Sequence, residues 1–512
     1  MPRTVYILAA ATILAPRVAN ADVLTGPFST TTVLNEPTCN LPGPMPGSRS
    51  AVCVVDSVRP VAAECAYACL SDANCTAYTW HAPTLGVWAL ACVFRLDGAW
   101  TPTSGAAGHT SGRKVAPPPW PISDGFDALP TMWFGANVSG LDSPTSLALI
   151  ARHRVGVTGW QQGTGALEPG ANLGAGDAFQ AAAATHLSDY LDALPGGGGP
   201  RRTLVGVYRQ VMIAQRLFAA ANAAATDASK DGFWVHDASS GGTCTFGMPW
   251  GTKDPVWNFT VQAAADYWIA DVVGALAAEA PAAGVRAVFF DDSDYNFCGF
   301  WNTSQSGCAP IPFTSLARMH ADNNAVLART AAALNAAGVI PVFSSVNVLS
   351  VVGSGAPACA LPEESTLAAL AGTTFARFYE FFPQLGASGP DVAAASVANA
   401  ILEGAAGIPV VVHFFSASCP ALPRNITRPG RLGGAIEAQL ALFLIVQSHQ
   451  SVFSLSNDWF DASFCWHSEF DVAYGAPLGP ALRTGTYTWA RNFSLSRVTA
   501  DVSAATGEVF LL

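Results

Sequence analysis

Short apolar runs and longer alanine-rich stretches alternate along the chain from about residue 127 to residue 457. Apolar runs of this length, bounded by polar or glycine-containing segments, are typical of strands buried on both faces of a parallel sheet. The pattern predicts eight strands: Met132–Asn137, Val155–Trp160, Leu204–Arg209, Ala287–Asp291, Ile340–Ser345, Phe375–Glu380, Pro409–Phe414 and Ser451–Ser456.

The alanine-rich stretches between these runs have the length of helices. They are Ser143–Arg152, Ala175–Leu194, Gln210–Ala225, Thr260–Ala280, Ser315–Ala337, Glu364–Ala371, Asp391–Gly404 and Gly433–Gln447. Eight strands alternating with eight helices predict an α/β protein with a (β/α)8 (TIM) barrel at residues 127–460. An open doubly wound sheet shares the alternation, but no Gly-x-Gly-x-x-Gly motif follows the first strand. Residues 461–512 lack a helical period and predict a C-terminal β extension.

The first 21 residues have the features of a secretory signal peptide. Arg3 provides a positive start, Val5–Ala15 is a short apolar segment, and Ala19-Asn20-Ala21 is a small-x-small cleavage site. The apolar segment is too short to span a bilayer. Six Asn-x-Ser/Thr sequons also fit a secreted glycoprotein: Asn74, Asn137, Asn258, Asn302, Asn425 and Asn492.

Cysteine usage agrees with export. The chain has 12 cysteines, of which six lie before residue 100. An even number in a secreted chain predicts disulfides, and a zinc site is disfavoured because no paired Cys-x2-Cys or His-x3-His spacing occurs. Residues 22–115 therefore form a predicted small disulfide-rich module, and the Pro-rich residues 116–126 a stiff linker to the barrel.

Composition excludes some classes of function. Half of the residues are apolar and only 12% are charged, so the chain can bury a large core. The formal net charge of -11 gives no electrostatic support for nucleic-acid binding. No stretch after the signal peptide is long and apolar enough to predict a membrane span.

The candidate chemistry begins where the fourth predicted strand ends, in Val288–Asp294. Here the apolar run changes directly to Asp291, Asp292 and Asp294. The carboxyl ends of barrel strands meet at the face where barrel enzymes have their active sites, so we expect Asp291 and Asp294 there. Strict alternation places Asp292 on the opposite side of the strand from Asp291. A solvated acidic loop and a calcium site are the alternatives.

The other predicted strand ends are rich in carboxylate, amide and aromatic side chains. This combination suits a sugar, because glycosidic cleavage uses two carboxyl groups and aromatic rings stack on sugar faces. We predict Asp291 and Glu380 as the catalytic pair, with no cofactor and no metal. The predicted substrate-binding residues are Trp133, Trp160, Tyr208, Asp294, Asn347, Arg377, Tyr379 and His413.

Each of these residues also has a purely structural interpretation. A buried glutamate is usually paired, so Glu380 could form an ion pair with Arg377. His413 could be a satisfied core histidine, and Trp133 and Trp160 could simply fill the barrel.

Two segments resemble known families. Glu64–Trp80, with its Cys-x3-Cys spacing and the later Cys92, resembles the core of a PAN/apple domain, which implies a module that binds protein or carbohydrate. The alternative is a disulfide-stapled cap without a ligand. The barrel resembles glycoside hydrolase barrels similar to endo-α-1,4-polygalactosaminidases in the following segments: Asp254–Asn258, Asp266–Trp268, Val288–Asp294, Tyr474–Gly479 and Trp489–Phe493.

The barrel resemblance implies that Asp291 is the nucleophile or base and Glu380 the general acid. The chain differs from the family pattern in carrying Cys298 and Cys308 after the fourth strand. The predicted function is thus that of a secreted glycoside hydrolase acting on a polysaccharide or glycan. The first alternative is a catalytically inactive barrel that binds glycans or mediates adhesion, and a calcium-binding surface protein is a weaker third. The separation of the Asp291 and Glu380 carboxyls distinguishes the first two.

Overall fold

The computed structural model describes most of the predicted barrel and the residues after it. Backbone and side chains are described for residues 126, 129–135, 144–159, 173–194, 203–237, 239–248, 251–293, 318–319, 321–344, 370, 373–380, 382–383, 389–405, 407–415, 426–456 and 466–512. Only the backbone is described for residues 32–34, 53–58, 77–81, 91–95, 102–104, 109–113, 313–317, 320 and 345. The predicted signal peptide, nearly all of the linker, and Trp160, Asp294 and Asn347 lie outside the described residues.

Eight parallel strands close into a barrel, which confirms the predicted (β/α)8 fold. Each strand pairs with its sequence neighbours, and the last pairs with the first through Phe453 and Thr131. All eight predicted strands are present, with ends that differ from the predictions by at most two residues. The strands are β1 (Thr131–Gly135), β2 (Val155–Thr158), β3 (Leu204–Gln210), β4 (Ala287–Asp291), β5 (Ile340–Ser345), β6 (Ala376–Tyr379), β7 (Val410–Phe415) and β8 (Val452–Ser456).

Helices surround the barrel. They are α1 (Pro144–Ile150), α2 (Gly176–Ala193), α3 (Ala219–Thr226), α4 (Gln262–Tyr267, continuing through a π-helical segment at Trp268–Val273 into Gly274–Glu279), α5 (Phe313–Ala336), α6 (Gly389–Ala405) and α7 (Glu437–Val446). The helix predicted at Gln210–Ala225 begins only at Ala219, because the backbone of residues 211–214 is hydrogen-bonded instead to Asp291 and to residues 255–257. A β-hairpin, Thr245–Gly247 with Lys253–Pro255, was not predicted. The helix predicted at Glu364–Ala371 lies almost entirely outside the described residues.

Side-chain alternation along the strands separates the barrel interior from the helix layer. The interior cluster is aromatic at its centre, where the Phe289 ring lies 4.8 Å from Phe378 and 5.0 Å from Phe134. The neighbouring residue Phe290 points outward and packs with Phe343 and Trp268 under the helices. The side of the strand on which a residue lies therefore decides whether it can reach the mouth of the barrel.

Antiparallel sheets are found at both ends of the chain. The C-terminal sheet contains Gly430–Arg431, Leu482–Arg483, Thr488–Asn492, Ser496–Asp501 and Thr506–Leu511. It packs on α7, where Glu437 accepts a hydrogen bond of 3.1 Å from the backbone of Val509. The N-terminal backbone forms a four-stranded sheet in the order Cys53–Val58, Ala91–Arg95, Ala77–His81 and His109–Arg113.

Cys244 is disulfide-bonded, and the side chains of the other cysteines lie outside the described residues. Among the helices of the described residues, none combines the length and apolarity that crossing a membrane requires.

Gly284, just before β4, combines a left-handed backbone with a close neighbour. Its φ is +71°, and a Cβ added there would lie 2.1 Å from the Ser188 Oγ of α2. We expect Gly284→Ala to lower the free energy of unfolding by about 1–3 kcal/mol, measured by urea denaturation. The control is Gly241→Ala, which has a φ of +67° and no heavy atom within 4 Å of its added Cβ. Equal losses in both variants would show that the contact with Ser188 contributes nothing.

Candidate active site

Strand β4 ends in two carboxyl groups that both reach the mouth of the barrel. Asp291 continues the inward side of Phe289, as alternation requires. Asp292 then adopts a φ of +49°, which is uncommon for a residue other than glycine. Its Oδ2 accepts a hydrogen bond of 2.6 Å from Gln210 Nε2 of β3. The expectation that Asp292 faces away from Asp291 is therefore wrong, because the regular strand stops one residue before it.

Asp291 is surrounded by hydrogen-bond donors. Tyr208 Oη donates to its Oδ2 at 2.7 Å, and the backbone N–H of Asp292 donates to its Oδ1 at 3.0 Å. Glu380 is also within hydrogen-bonding reach. Burial raises the pKa of Asp291, while all three contacts oppose that rise because they stabilise the carboxylate.

Glu380 stands at the carboxyl end of β6 and is 9% exposed. Burial raises its pKa well above the usual range, and the neighbouring charges of Asp291 and Asp292 raise it further. Its contact with Asp291 acts in the same direction, since the protonated form of Glu380 is the one that can donate. Only a contact with Ser344 acts in the opposite direction, so the surroundings of Glu380 favour its protonated form.

Asp292 adds a third carboxyl to the cluster. Burial and the charge of Asp291 raise its pKa well above the usual range, against the opposing effect of the Gln210 donor. The ion pairs found within the described residues include none of these three acids. Three neighbouring buried carboxyls disfavour one another's ionisation, so each favours the protonated form of the others.

Three of the predicted substrate-binding residues lie on the outer side of their strands. The Trp133 ring covers Gly135, where a Cβ would be 1.7 Å from a ring atom, and it packs in the helix-side core. Arg377 lies 3.6 Å from Glu403 of α6, measured from Nε to Oε1, and Tyr379 packs against Phe382. These residues therefore do not reach a substrate at the mouth of the barrel, because strand alternation directs their side chains away from Glu380.

Tyr208 and His413 do face the interior. His413 stacks on Phe378 with ring centroids 5.6 Å apart, and its Nε2 is 2.8 Å from Ser456 Oγ. Burial lowers its pKa to about 3, so the imidazole is neutral near pH 7. Tyr208 remains protonated because burial and the charge of Asp291 both raise its pKa.

Sequence reasoning did not select Asp292, Gln210 or Gln215 for the site. Gln215 Nε2 lies 3.4 Å from Tyr208 Oη, and so supports the residue that donates to Asp291. Side chains two residues apart on a strand point to the same side, so the position of Tyr208 could have identified Gln210. No sequence signal identifies Gln215, which follows an irregular segment. Across the part of the chain that the structure describes, no group of three or more His, Cys, Asp or Glu side chains forms a candidate metal site.

Comparison with known proteins gives structural similarity only. No family model and no curated protein sequence matches the chain. An α-N-acetylgalactosaminidase from Bifidobacterium bifidum superposes with a TM-score of 0.37 and 12% identity, covering 73% of this chain and 51% of that one. A dextranase of family GH31 from Flavobacterium johnsoniae gives 0.38 and 9%, covering 90% and 59%.

Aspergillus fumigatus Ega3, in complex with galactosamine, gives a TM-score of 0.31 and 10% identity, covering 66% of this chain and 95% of that one. The chain spans only about half to three fifths of the length of the first two enzymes. Similarity at this level leaves the function to be inferred from the geometry of the carboxyl cluster.

The position of Arg377 generates a test. Its side chain and that of Glu403 are at most 1% exposed, so removing one partner leaves a buried charge. We expect Arg377→Met to reduce the free energy of unfolding by about 3–5 kcal/mol in urea denaturation. The control is Arg318→Met, which removes a 3.5 Å pair with Asp322 that is largely exposed, and should cost less than about 1 kcal/mol. A loss below 1 kcal/mol for Arg377→Met would contradict a structural role.

Proposed function

We propose that the protein is a glycoside hydrolase in which Glu380 is the general acid and Asp291 the nucleophile. The observation that carries this proposal is the contact between two carboxyls with unequal surroundings at the mouth of a closed barrel. Hydrolysis of a glycosidic bond requires one protonated and one ionised carboxyl group. Environments that push the pKa values of two acids apart assign those roles.

The hydrogen bonds support this assignment. Asp291 receives donors from Tyr208 and from the backbone of Asp292, which stabilise the carboxylate form that attacks carbon. Glu380 has its pKa raised by burial and by both aspartates, so it keeps the proton that the leaving oxygen must receive. In the first step Asp291 forms a bond to the anomeric carbon, the glycosidic C–O bond breaks, and the Glu380 proton passes to the departing oxygen.

The proximity of the two carboxyls favours a retaining reaction. Inverting enzymes separate the two carboxyls by about 6.5–9.5 Å to admit a water molecule, whereas retaining enzymes hold them about 5–5.5 Å apart. Asp291 and Glu380 are close enough for each to shift the pKa of the other, which agrees better with the closer of these two arrangements. In the second step Glu380, now ionised, takes a proton from water, and the resulting hydroxide displaces Asp291 from the sugar.

We propose α-1,4-linked galactosaminides as the first substrate class to test, because Val288–Asp294 resembles the catalytic strand of polygalactosaminidase-like barrels. The predicted signal peptide would direct the enzyme to the secretory pathway. The predicted disulfide-rich module at residues 22–115 would bind a protein or glycan ligand.

Conservative variants of the two acids test the assignment. We expect Asp291→Asn to abolish hydrolysis of an oligosaccharide panel, because the amide cannot form the glycosyl–enzyme bond. We expect Glu380→Gln to lower kcat/KM by about 10²–10⁴-fold on substrates with poor leaving groups, and much less on activated aryl glycosides, which need no acid. Circular dichroism controls for folding. Full turnover by Asp291→Asn would refute the assignment, and glycan binding without any hydrolysis by the unaltered protein would favour the inactive-barrel alternative.

Tyr208→Phe tests the pH dependence. The Tyr208 hydroxyl holds down the pKa of Asp291, so its removal raises that pKa further. Because Asp291 must be ionised, we expect the acidic limb of the kcat/KM profile to move to higher pH, with the alkaline limb of Glu380 still present. The matched control is Tyr379→Phe, whose hydroxyl lies outside the barrel interior and should leave both limbs in place. An unmoved acidic limb in Tyr208→Phe would contradict the proposed role of this donor.

A further inference from the structure

The backbone of Asp292 has an uncommon conformation that the reaction described above does not use. Its φ of +49° lies in the left-handed region, which a residue other than glycine keeps only where surrounding contacts hold it there. This turn brings a third carboxyl to the mouth of the barrel, although glycosidic hydrolysis needs only two.

Gln210 holds the side chain of Asp292. Gln210 pairs with Asp291 across β3 and β4, so it stands beside the point where β4 ends. Its Nε2 donates to Asp292 Oδ2 at 2.6 Å, and the two residues are only 7% and 9% exposed. This donor stabilises the carboxylate form of Asp292 and opposes the rise in its pKa that burial causes.

The turn is fixed on its other side by Ser293. The Ser293 hydroxyl donates to the backbone carbonyl of Ser344 in β5 at 2.8 Å, and the Ser293 carbonyl accepts from Asn323 Nδ2 of α5 at 2.9 Å. Between these anchors, the backbone N–H of Asp292 donates to Asp291 Oδ1 at 3.0 Å. A change of φ at Asp292 must therefore displace the peptide group that carries this N–H.

The carboxyl of Asp292 lies close enough to the general acid for their charges to interact. The charge of Asp292 raises the pKa of Glu380 and also that of Tyr208. Alternation directs the cations of the same strands, Arg209 and Arg377, to the helix layer, where acidic residues pair with them. The titratable side chains of the described strands and strand ends that face the interior are Tyr208, Asp291, Asp292, Glu380 and His413.

The other interior groups add no positive charge. Burial lowers the pKa of His413 to about 3 and raises that of Tyr208, so both side chains are neutral near pH 7. Within the described interior, no cation therefore offsets the charge of Asp292 where it acts on Glu380.

We propose that Asp292 is a positioning residue for both acids of the pair. Gln210 holds it in the left-handed conformation, its backbone N–H donates to Asp291, and its carboxylate lies near Glu380. The N–H favours the ionised form of Asp291, whereas the negative charge favours the protonated form of Glu380, so one residue acts in opposite directions on the two acids. The catalytic part of this inference rests on the proposed function, but the effect of Asp292 on the ionisation of Glu380 does not.

Asp292→Asn tests the effect of the charge. Asparagine also tolerates the left-handed region, keeps the backbone N–H and can accept from Gln210, but it is uncharged. Without the charge the pKa of Glu380 falls, so we expect the alkaline limb of kcat/KM to move to lower pH, with about tenfold less activity on that limb. The acidic limb should not move. The control Asp254→Asn changes a buried aspartate of the hairpin and should leave both limbs in place.

The same effect is measured without substrate. The protein is labelled with carbon-13 at the glutamate carboxyls, and the Glu380 resonance is identified by its absence in Glu380→Gln. We expect its NMR titration midpoint to move to lower pH in Asp292→Asn. If the unaltered protein hydrolyses no glycoside, the proposed function fails, while this titration still tests the role of Asp292. An unmoved Glu380 midpoint in Asp292→Asn would overturn that role, whatever the activity.

Two substitutions that both remove the carboxyl test the backbone. Asp292→Gly adopts the left-handed region without strain, whereas a branched Cβ, as in Asp292→Val, is strongly disfavoured there. We expect both variants to move the alkaline limb. Only Asp292→Val should also move the acidic limb to higher pH, with about tenfold less activity on that limb, because Asp291 loses its N–H donor. Equal acidic limbs in the two variants, or a moved acidic limb in Asp292→Gly, would contradict the role of the N–H.

Gln210→Met removes the donor and keeps a side chain of similar size. The pKa of Asp292 then rises, so we expect the Glu380 midpoint to move in the same direction as in Asp292→Asn. Because Gln210 acts through Asp292, the double variant should move no further than Asp292→Asn alone. The control Gln447→Met, between α7 and β8 at the opposite end of the barrel, should leave the midpoint unchanged. A further movement in the double variant, or none in Gln210→Met, would refute the role of Gln210.

Discussion

The desolvation of three carboxyl groups at the mouth of the barrel is the constraint on which the site depends. Moving an isolated ionised carboxylate out of water costs several kcal/mol even after relaxation, so such a group is paired, hydrogen-bonded or protonated. Asp291, Asp292 and Glu380 form no ion pair in the described structure, and their pKa values all rise. The number and position of the donors then decide which acid ionises first, and they favour Asp291.

The closed barrel makes this cluster possible. Parallel strands bring residues from β3, β4 and β6 to one end, although these residues lie far apart in the sequence. The rings of Phe134, Phe289 and Phe378 fill the interior beneath the cluster and exclude water from that side. The aromatic rings that pack the barrel interior therefore also desolvate the carboxyl groups above them and raise their pKa values.

Strand alternation divides the polar residues of β6 into two separate environments. Arg377 points to the helix layer and meets Glu403, whereas Glu380 turns inward to Asp291. The pairing of Glu380 with Arg377, a reasonable expectation for a buried glutamate, is thereby excluded in this structure. Within the described residues no cation pairs with Glu380, and burial together with the charges of Asp291 and Asp292 raises its pKa.

The sequence by itself determined the eight strands, because each is a short apolar run whose pattern is local. It also determined that Asp291 and Glu380 end two of those strands. Only the tertiary structure decided what lies around them. The left-handed backbone of Asp292 breaks the alternation on which sequence reasoning relied, and the irregular residues 211–218 bring Gln215 to Tyr208 in place of a predicted helix. Carboxyl pKa values and hydrogen-bond partners depend on such long-range contacts, and no local pattern of apolar and polar residues encodes them.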